Sequence, residues 1–207
     1  MPPLPVMLNL SGKRCVIVGG GPVAVRRAKA LQEAGAAVTV IAPNIEPGLT
    51  APPLELHHRP YQAGDLAGAF IVVIATDDPG VNEAIARDAQ TAGVLVNRAD
   101  NPDAGDFTVP AHAHHGPITL AVHTGGASAS ASATIRRQLS DALDPDWPKL
   151  IKLAAGFRPV IQQHYADPAR RRERLMKLAD TQAMAILKGR GEDALLDYYR
   201  ELAETET

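Results

Sequence analysis

The stretch VIVGGGPVAVRRAKALQEAGAAVTVIAP, residues 16–43, sets three consecutive glycines between two short apolar runs, with a helix-like segment before the second. The runs Cys15 to Val18 and Val38 to Ala42 are rich in Val and Ile, the composition of strands buried on both faces of a parallel sheet. Between them, Pro22 to Glu33 carries proline in its first turn and ends beside Gly35, which punctuates a helix. Strand, glycine turn, helix and strand make a βαβ unit. Gly19, Gly21 and Ala24 fit G-x-G-x-x-A at its first turn. In that pattern one glycine permits the tight turn, the second lets backbone approach a pyrophosphate, and the small third residue lets helix and strand pack closely. The helix N-terminus adds unpaired N–H groups and a partial positive charge. Gly19, Gly20, Gly21, Pro22, Val23 and Ala24 are therefore the expected phosphate cradle of a dinucleotide.

The same punctuation continues downstream. Phe70 to Ala75 and Val94 to Val96 read as further strands, Leu54 to Arg59 as a weaker one, and Pro79 to Ala92 as a helix ending at Gly93. Ligands of doubly wound sheets sit beyond the carboxyl ends of the strands, so Thr76 and Asp77 are expected to border the cofactor, while Asp78 before Pro79 is expected to cap the helix. The second strand ends in Ala42-Pro43-Asn44, without the acid that commonly holds the ribose. No Arg or Lys stands between Thr39 and His58 to hold a 2′-phosphate. Asn44 or backbone is left for the ribose hydroxyls, which favours NAD over NADP.

After Asp100 the texture changes. Phe107 to Val109 and Ile118 to His123 alternate like strands, separated by histidines and Gly116-Pro117. Helical patterns follow at 127–143, 149–165, 168–187 and 192–202. The expected architecture is α/β: a Rossmann-type parallel sheet domain over residues 1–112, a small strand-containing segment over 113–146 and a helical carboxyl-terminal domain over 147–207.

Composition narrows the partners. Twenty-one Lys and Arg face twenty-three Asp and Glu in 207 residues, a formal charge of -2, which gives no global pull toward nucleic acid or anionic membrane. Cys15 is the only cysteine, so neither a disulfide framework nor a thiolate metal cluster is expected, and a reducing cytosol suits the chain. The opening MPPLPVMLNL lacks a basic leader, and no run reaches the roughly 18 apolar residues of a membrane span. A soluble, cytoplasmic protein acting on a small molecule is expected. The basic run Ala169 to Lys177 has no interleaved aromatics and reads as a solvated helix face; Trp147 and Tyr165 read as core. His112, His114 and His115 invite a metal, yet on a strand the first two face one way and the third the other. With no acidic or Cys ligand to complete a site, no metal centre is expected there, and a solvated or carboxylate-pairing cluster is the better reading.

Taken in order, the segments 17–43, ATDDPGVN (75–82), VNRADNPDAGDFTVPA (96–111) and GPITLAVHTGGASASASATIRRQL (116–139) resemble the precorrin-2 dehydrogenase family. That family includes the amino-terminal half of siroheme synthase and stand-alone dehydrogenases, some of which also chelate iron. The resemblance implies oxidation of precorrin-2 to sirohydrochlorin with NAD⁺ taking hydride, an intertwined homodimer, and in some members insertion of Fe²⁺ or Co²⁺. It places the catalytic aspartate at Asp100, in a VNVVD-like motif that reads Val96-Asn97-Arg98-Ala99-Asp100 here. It assigns the substrate cleft to the segment holding His123, Thr124, Gly125 and Gly126, with Arg136 or Arg137 facing substrate carboxylates, since a planar guanidinium matches that geometry. Read on local chemistry alone, Asp100 in ADNPDAGD is a turn residue, and the two arginines are equally a solvated helix face. Gly105 stands where relatives often carry Cys, which removes a soft metal ligand and weakens the case for chelation more than that for dehydrogenation. Two other readings compete: a dinucleotide-binding sensor without redox turnover, against which Asp100 in its motif speaks, and a tetrapyrrole chelatase or carrier without useful cofactor binding, against which the intact glycines speak.

Overall fold

The computed structural model describes residues 3–49 and 53–204, and the chain divides into two compact units, Met1–Val109 and Pro110–Thr207. In the first unit five strands, β1 (Arg14–Val18), β2 (Ala37–Ile41), β3 (Leu54–His57), β4 (Ile71–Ile74) and β5 (Leu95–Arg98), form one parallel sheet in the order β3-β2-β1-β4-β5. Helix α1 (Pro22–Glu33) connects β1 to β2, and α2 (Pro79–Ala92) connects β4 to β5. The two-residue period of a strand explains why this sheet needs cover on both faces. Cys15, Ile17, Val38, Val40, Ile71 and Val73 point into one core with Ala24, Ala28 and Leu31 of α1. Val16, Val18, Ile41, Val72, Ile74 and Val96 point into the other with Ile85 and Ala89 of α2. Helices on both faces of a parallel sheet in this order are the doubly wound arrangement expected from the punctuation.

The ends of α2 follow local chemistry. The Asp78 carboxylate accepts the N–H groups of Gly80 (2.8 Å) and Val81 (3.1 Å), and Gly93 closes the helix at φ +68°. One boundary differs from expectation: β5 continues past Val96 through Asn97 and Arg98, paired with Val73 and Ile74. Both polar side chains are buried: Asn97 donates through Nδ2 to the Phe107 carbonyl (2.9 Å) while its Oδ1 has no partner among the described residues, and Arg98 is paired by two carboxylates. Pairing along the ladder thus carried the strand beyond its apolar residues.

The second unit begins with an antiparallel pair, β6 (Ala111–His115) and β7 (Ile118–Val122), joined by Gly116-Pro117 with Gly116 at φ +56°. A strand was expected at Phe107 to Val109, and none forms there. The histidine run pairs instead, His112 with Ala121 and His114 with Thr119, because a two-residue loop fixes the register. Phe107 packs into the first unit's core. Helix α3 (Ala129–Ala142) packs on both strands, and α4 (Trp147–His164), α5 (Pro168–Lys177) and α6 (Thr181–Glu204) follow. The boundary expected at residue 112 falls at 109, and residues 113–146 share one unit with the helices that follow. The single helix expected over 168–187 is broken, since Asp180 accepts the Ala183 N–H (2.8 Å) and starts α6. Gly191, at φ +85°, interrupts α6 where the sequence pattern paused between Leu187 and Glu192. Leu150, Ile161, Leu178, Leu187, Leu195 and Tyr199 form the helical core, with Trp147 against it; the buried Tyr165 hydroxyl donates to the Leu202 carbonyl (2.9 Å). Among the described residues no helix is long and apolar enough to cross a membrane.

Candidate functional site

The glycine turn lies between β1 and α1, and each glycine answers to a different neighbour. A Cβ on Gly19, which holds φ +127°, would lie 2.2 Å from the Ala75 carbonyl oxygen at the end of β4. One on Gly20 would lie 2.0 Å from the Asn44 carbonyl oxygen, and the same loop is fastened by the Glu46 N–H donating to the Gly20 carbonyl (2.9 Å). A Cβ on Gly21 would meet nothing within 4 Å. Two glycines therefore let the turn nest against β4 and the loop after β2, and the third leaves an open face. Gly21 is the N-cap of α1 and offers no side-chain cap. Pro22 has no N–H, and those of Val23 and Ala24 precede the first helical bond, Val25 N–H to Gly21 carbonyl (3.1 Å). Unpaired donors at a helix N-terminus beside open backbone fit a pyrophosphate. Ala24 is fully buried, as the close packing of helix on strand requires. Asn44 is exposed beside Gly20, its carbonyl covering that residue.

Beyond β4 and β5 the side chains form one connected network. Thr76 Oγ1 donates to Asn82 Oδ1 (2.5 Å) and accepts the Asp78 N–H (3.2 Å). Asn82, buried in the first turn of α2, donates through Nδ2 to the Thr76 carbonyl (3.1 Å) and to Asp100 Oδ2 (3.2 Å). Arg98 closes on Asp100 from the end of β5 with Nε on Oδ1 (3.1 Å) and Nη2 on Oδ2 (2.6 Å), while its Nη1 donates to Glu83 Oε1 (2.5 Å). The Arg98 guanidinium beside Asp100, helped by the Asn82 amide, holds that carboxyl down at about 2. Asp100 and Glu83 in turn push the Arg98 guanidinium upward. Asp100 is therefore no simple turn residue: its oxygens are taken by side chains from β5 and α2. Asp77 is exposed, and Asp78 is the helix cap.

The substrate residues expected from sequence lie in the second unit. His123 follows β7, Gly125 and Gly126 turn the chain at φ +65° and +79°, and the Gly125 N–H meets His123 Nδ1 (3.3 Å). Thr124 Oγ1 bonds the Ser128 carbonyl (3.1 Å) and Ser132 Oγ (2.8 Å), and Ser128 Oγ caps α3 at the Ala131 N–H (3.1 Å). Arg136 is half-buried on α3 and forms no ion pair among the described residues; Arg137 is exposed. His112 and His114 lie side by side with ring centroids 5.5 Å apart, as same-face strand neighbours do. Among the described residues no three His, Cys, Asp or Glu side chains gather as a metal would need.

Three residues of the network, Asn82, Glu83 and Arg98, were not singled out from sequence. The available signals were Asn82 three positions before Ile85 and seven before Ala89, hence on the apolar stripe of α2, and a charged Arg at the end of an apolar strand; Glu83 carried none.

Known proteins resemble this chain over most of its length. Siroheme synthase of Methylococcus capsulatus is 37% identical over 196 residues, covering 92% of this chain and 41% of that protein. Siroheme synthase of Chromobacterium violaceum is 36% identical over 190 residues, covering 89% of this chain and 40% of that protein. The chain thus spans about two fifths of the length of the curated relatives it matches. Among solved structures, SirC, a precorrin-2 dehydrogenase, superposes with a TM-score of 0.74 at 28% identity, covering 96% of this chain and 99% of that one. A family model for NAD(P)-binding domains matches residues 6–111, the span that holds the glycine turn, both covering helices and the Thr76–Asn82–Asp100–Arg98 network, so the chain belongs to the NAD(P)-binding family.

Proposed function

We propose that this protein oxidises precorrin-2 to sirohydrochlorin with NAD⁺, a step of siroheme- or cobalamin-type tetrapyrrole synthesis. The observation that carries the reading is convergence: the open glycine turn after β1, Thr76 after β4 and Asp100 after β5 all stand beyond the carboxyl ends of one parallel sheet. When bound, NAD⁺ accepts the hydride. The residues Gly19 to Ala24 bind its phosphates through backbone N–H groups and the α1 N-terminus, and Asn44 borders the ribose. Thr76 and Asp77 line the cleft. Asp100, ionised at any working pH, meets the second hydrogen, which leaves as a proton. His123, Thr124, Gly125, Gly126 and Arg136 are assigned to the tetrapyrrole, with the Arg136 guanidinium matched to its carboxylates.

The protein is assigned to the cytoplasm, in keeping with a single buried and free Cys15 thiol, which burial pushes up to about 11. A homodimer is assigned through β6, β7 and α3, whose Ile135 and Leu139 are 41% and 48% exposed. Neither nucleic acid nor membrane is a partner in this reading. Fe²⁺ or Co²⁺ would be a co-substrate of a second, chelating activity.

The test is anaerobic incubation of the protein with enzymatically generated precorrin-2 and NAD⁺, following NADH and the tetrapyrrole spectrum together. Coupled appearance of NADH and sirohydrochlorin is expected, with Asp100→Ala slowing turnover about 100-fold or more while NAD⁺ still binds. NAD⁺ binding without turnover would favour the sensor reading instead. Adding Fe²⁺ or Co²⁺ after sirohydrochlorin forms tests insertion in the same cuvette.

A further inference from the structure

We propose that Arg98 is the positioning residue of Asp100: its buried guanidinium, anchored behind by Glu83 and assisted by Asn82, fixes the Asp100 carboxylate as an anion in one orientation for the reaction. The inference rests on the catalytic role proposed for Asp100 and adds a residue to it.

Arg98 is the last residue of β5, paired in register with Ile74, and only 6% exposed. A guanidinium withdrawn from water is strongly unfavourable unless its donors are paired, and an apolar side chain there would serve the sheet at least as well. Sheet stability therefore gives no reason for an arginine. Its donors do. Nε and Nη2 form a two-point fork on the two oxygens of Asp100, the geometry that a planar guanidinium has and an ammonium lacks. Nη1 is drawn the other way by Glu83, so the guanidinium is itself held from behind. Asn82 adds a third donor to Asp100 from α2, and its own amide is fixed by the Thr76 carbonyl and hydroxyl.

Three elements, β5, α2 and the end of β4, thus converge on one carboxylate. The charged groups in this set are Arg98, on the strand that carries Asp100, and Glu83, on α2 behind the guanidinium; Asn82 and Thr76 are neutral. So held, Asp100 remains ionised and ready to accept a proton across neutral pH. A weak base suffices here, because loss of hydride leaves positive charge on the macrocycle and makes its hydrogens acidic. The same fixed anion stabilises that charge as it develops.

The experiment is a double-mutant cycle on the whole chain with Arg98→Met, Arg98→Lys and Asp100→Ala. Three quantities are read: the single-turnover rate of NADH formation with precorrin-2, followed over hours for the slow variants; the Kd for NAD⁺; and the Asp100 carboxyl titration by ¹³C NMR in aspartate-labelled protein. Arg98→Met is expected to lower the rate about 100-fold, the effect of a small misplacement at a reacting group, with the Kd for NAD⁺ within about twofold. Arg98→Lys keeps the charge without the fork and is expected to restore only part of the rate. In the Asp100→Ala background Arg98→Met is expected to cost nothing further, and in Arg98→Met alone the Asp100 carboxyl should titrate near its ordinary 3.8.

An Arg98→Met protein with native turnover, or one that loses as much rate with Asp100 absent as with it present, overturns the proposal. If Arg98→Met does not fold, Arg98→Lys carries the same cycle and the same criterion. Full activity of Asp100→Ala would instead remove Asp100 from the mechanism, and the inference with it. Inactive Asp100→Ala beside fully active Arg98→Met would refute the role of Arg98 alone.

Discussion

Replacing each of two adjacent glycines by alanine separates packing from cofactor approach in the turn after β1. At residue 20 the new Cβ would lie 2.0 Å from the Asn44 carbonyl oxygen, 3.0 Å from its carbon and 3.0 Å from Ile45 Cα, all backbone atoms. A carbon and an oxygen in contact sit at about 3.3 Å, so the loop after β2 must retreat by about 1.3 Å. That retreat breaks the bond from the Glu46 N–H to the Gly20 carbonyl (2.9 Å). Its loss costs about 1 kcal/mol, and the residual overpacking about 1–3 kcal/mol. The sum, about 2–4 kcal/mol, corresponds to a fall in Tm of about 5–15 °C for a chain of this size. At residue 21 the Cβ would meet nothing within 4 Å, and the backbone is extended at φ -89°, ψ -169°. Gly21→Ala is therefore expected to cost no more than about 1 kcal/mol, chiefly through the N-cap. Its methyl would occupy the open face assigned to the pyrophosphate and weaken NAD⁺ binding about tenfold or more, equal to about 1.4 kcal/mol. Thermal unfolding followed by circular dichroism and NAD⁺ titration by calorimetry read the two effects. A Gly20→Ala protein as stable as the native one would refute the packing argument. A Gly21→Ala protein with unaltered affinity would show that the phosphates do not approach there.

Asp78→Ala removes the acceptor for the Gly80 and Val81 N–H groups and should lower stability by about 1 kcal/mol in urea unfolding, leaving NAD⁺ affinity unchanged. The Asp100 pair predicts a pH dependence: its folded value lies below the ordinary 3.8, so the stabilisation is complete above that value and disappears as pH falls toward 2. Discounted for a carboxylate 30% exposed, the effect is on the order of 1 kcal/mol, and Asp100→Asn should flatten stability between about pH 4 and about pH 2. Asp substituted at both Ile135 and Leu139 should convert the proposed dimer to a monomer in sedimentation; a dimer that survives would place the interface elsewhere.

The parallel sheet was legible because both of its signals are local. Val and Ile runs mark doubly covered strands, and proline and glycine mark the helix ends between them, so β1, α1, β2, β4 and α2 all lie within a few residues of where the sequence puts them. The misreadings have a common cause in pairing at a distance. Asn97 and Arg98 belong to β5 because β4 offers them a ladder, and His112 to His115 form a strand because β7 returns beside them. Neither partner is visible in a local window. The break between α5 and α6 was missed for a smaller reason, since Asp180 sits in a run whose apolar spacing continues across it.

The site shows a different limit. The glycine turn declares its chemistry by residue type, because few other residues can take φ +127° beside the Ala75 carbonyl or admit the Asn44 carbonyl. Asp100 does not, since an aspartate among Asn, Pro and Gly reads as a turn until its partners are known. What lifts it out of that background is the pair of donors aimed at it, and those donors were hidden in plain residue types: an Asn within a helix and an Arg within a strand. A buried arginine forked onto a carboxylate is expensive to keep and easy to replace by an apolar residue, so its presence points to the carboxylate and not to the sheet. Two levels of structure thus shape the carboxyl ends of these strands, backbone geometry at the glycine turn and side-chain partnership at Asp100.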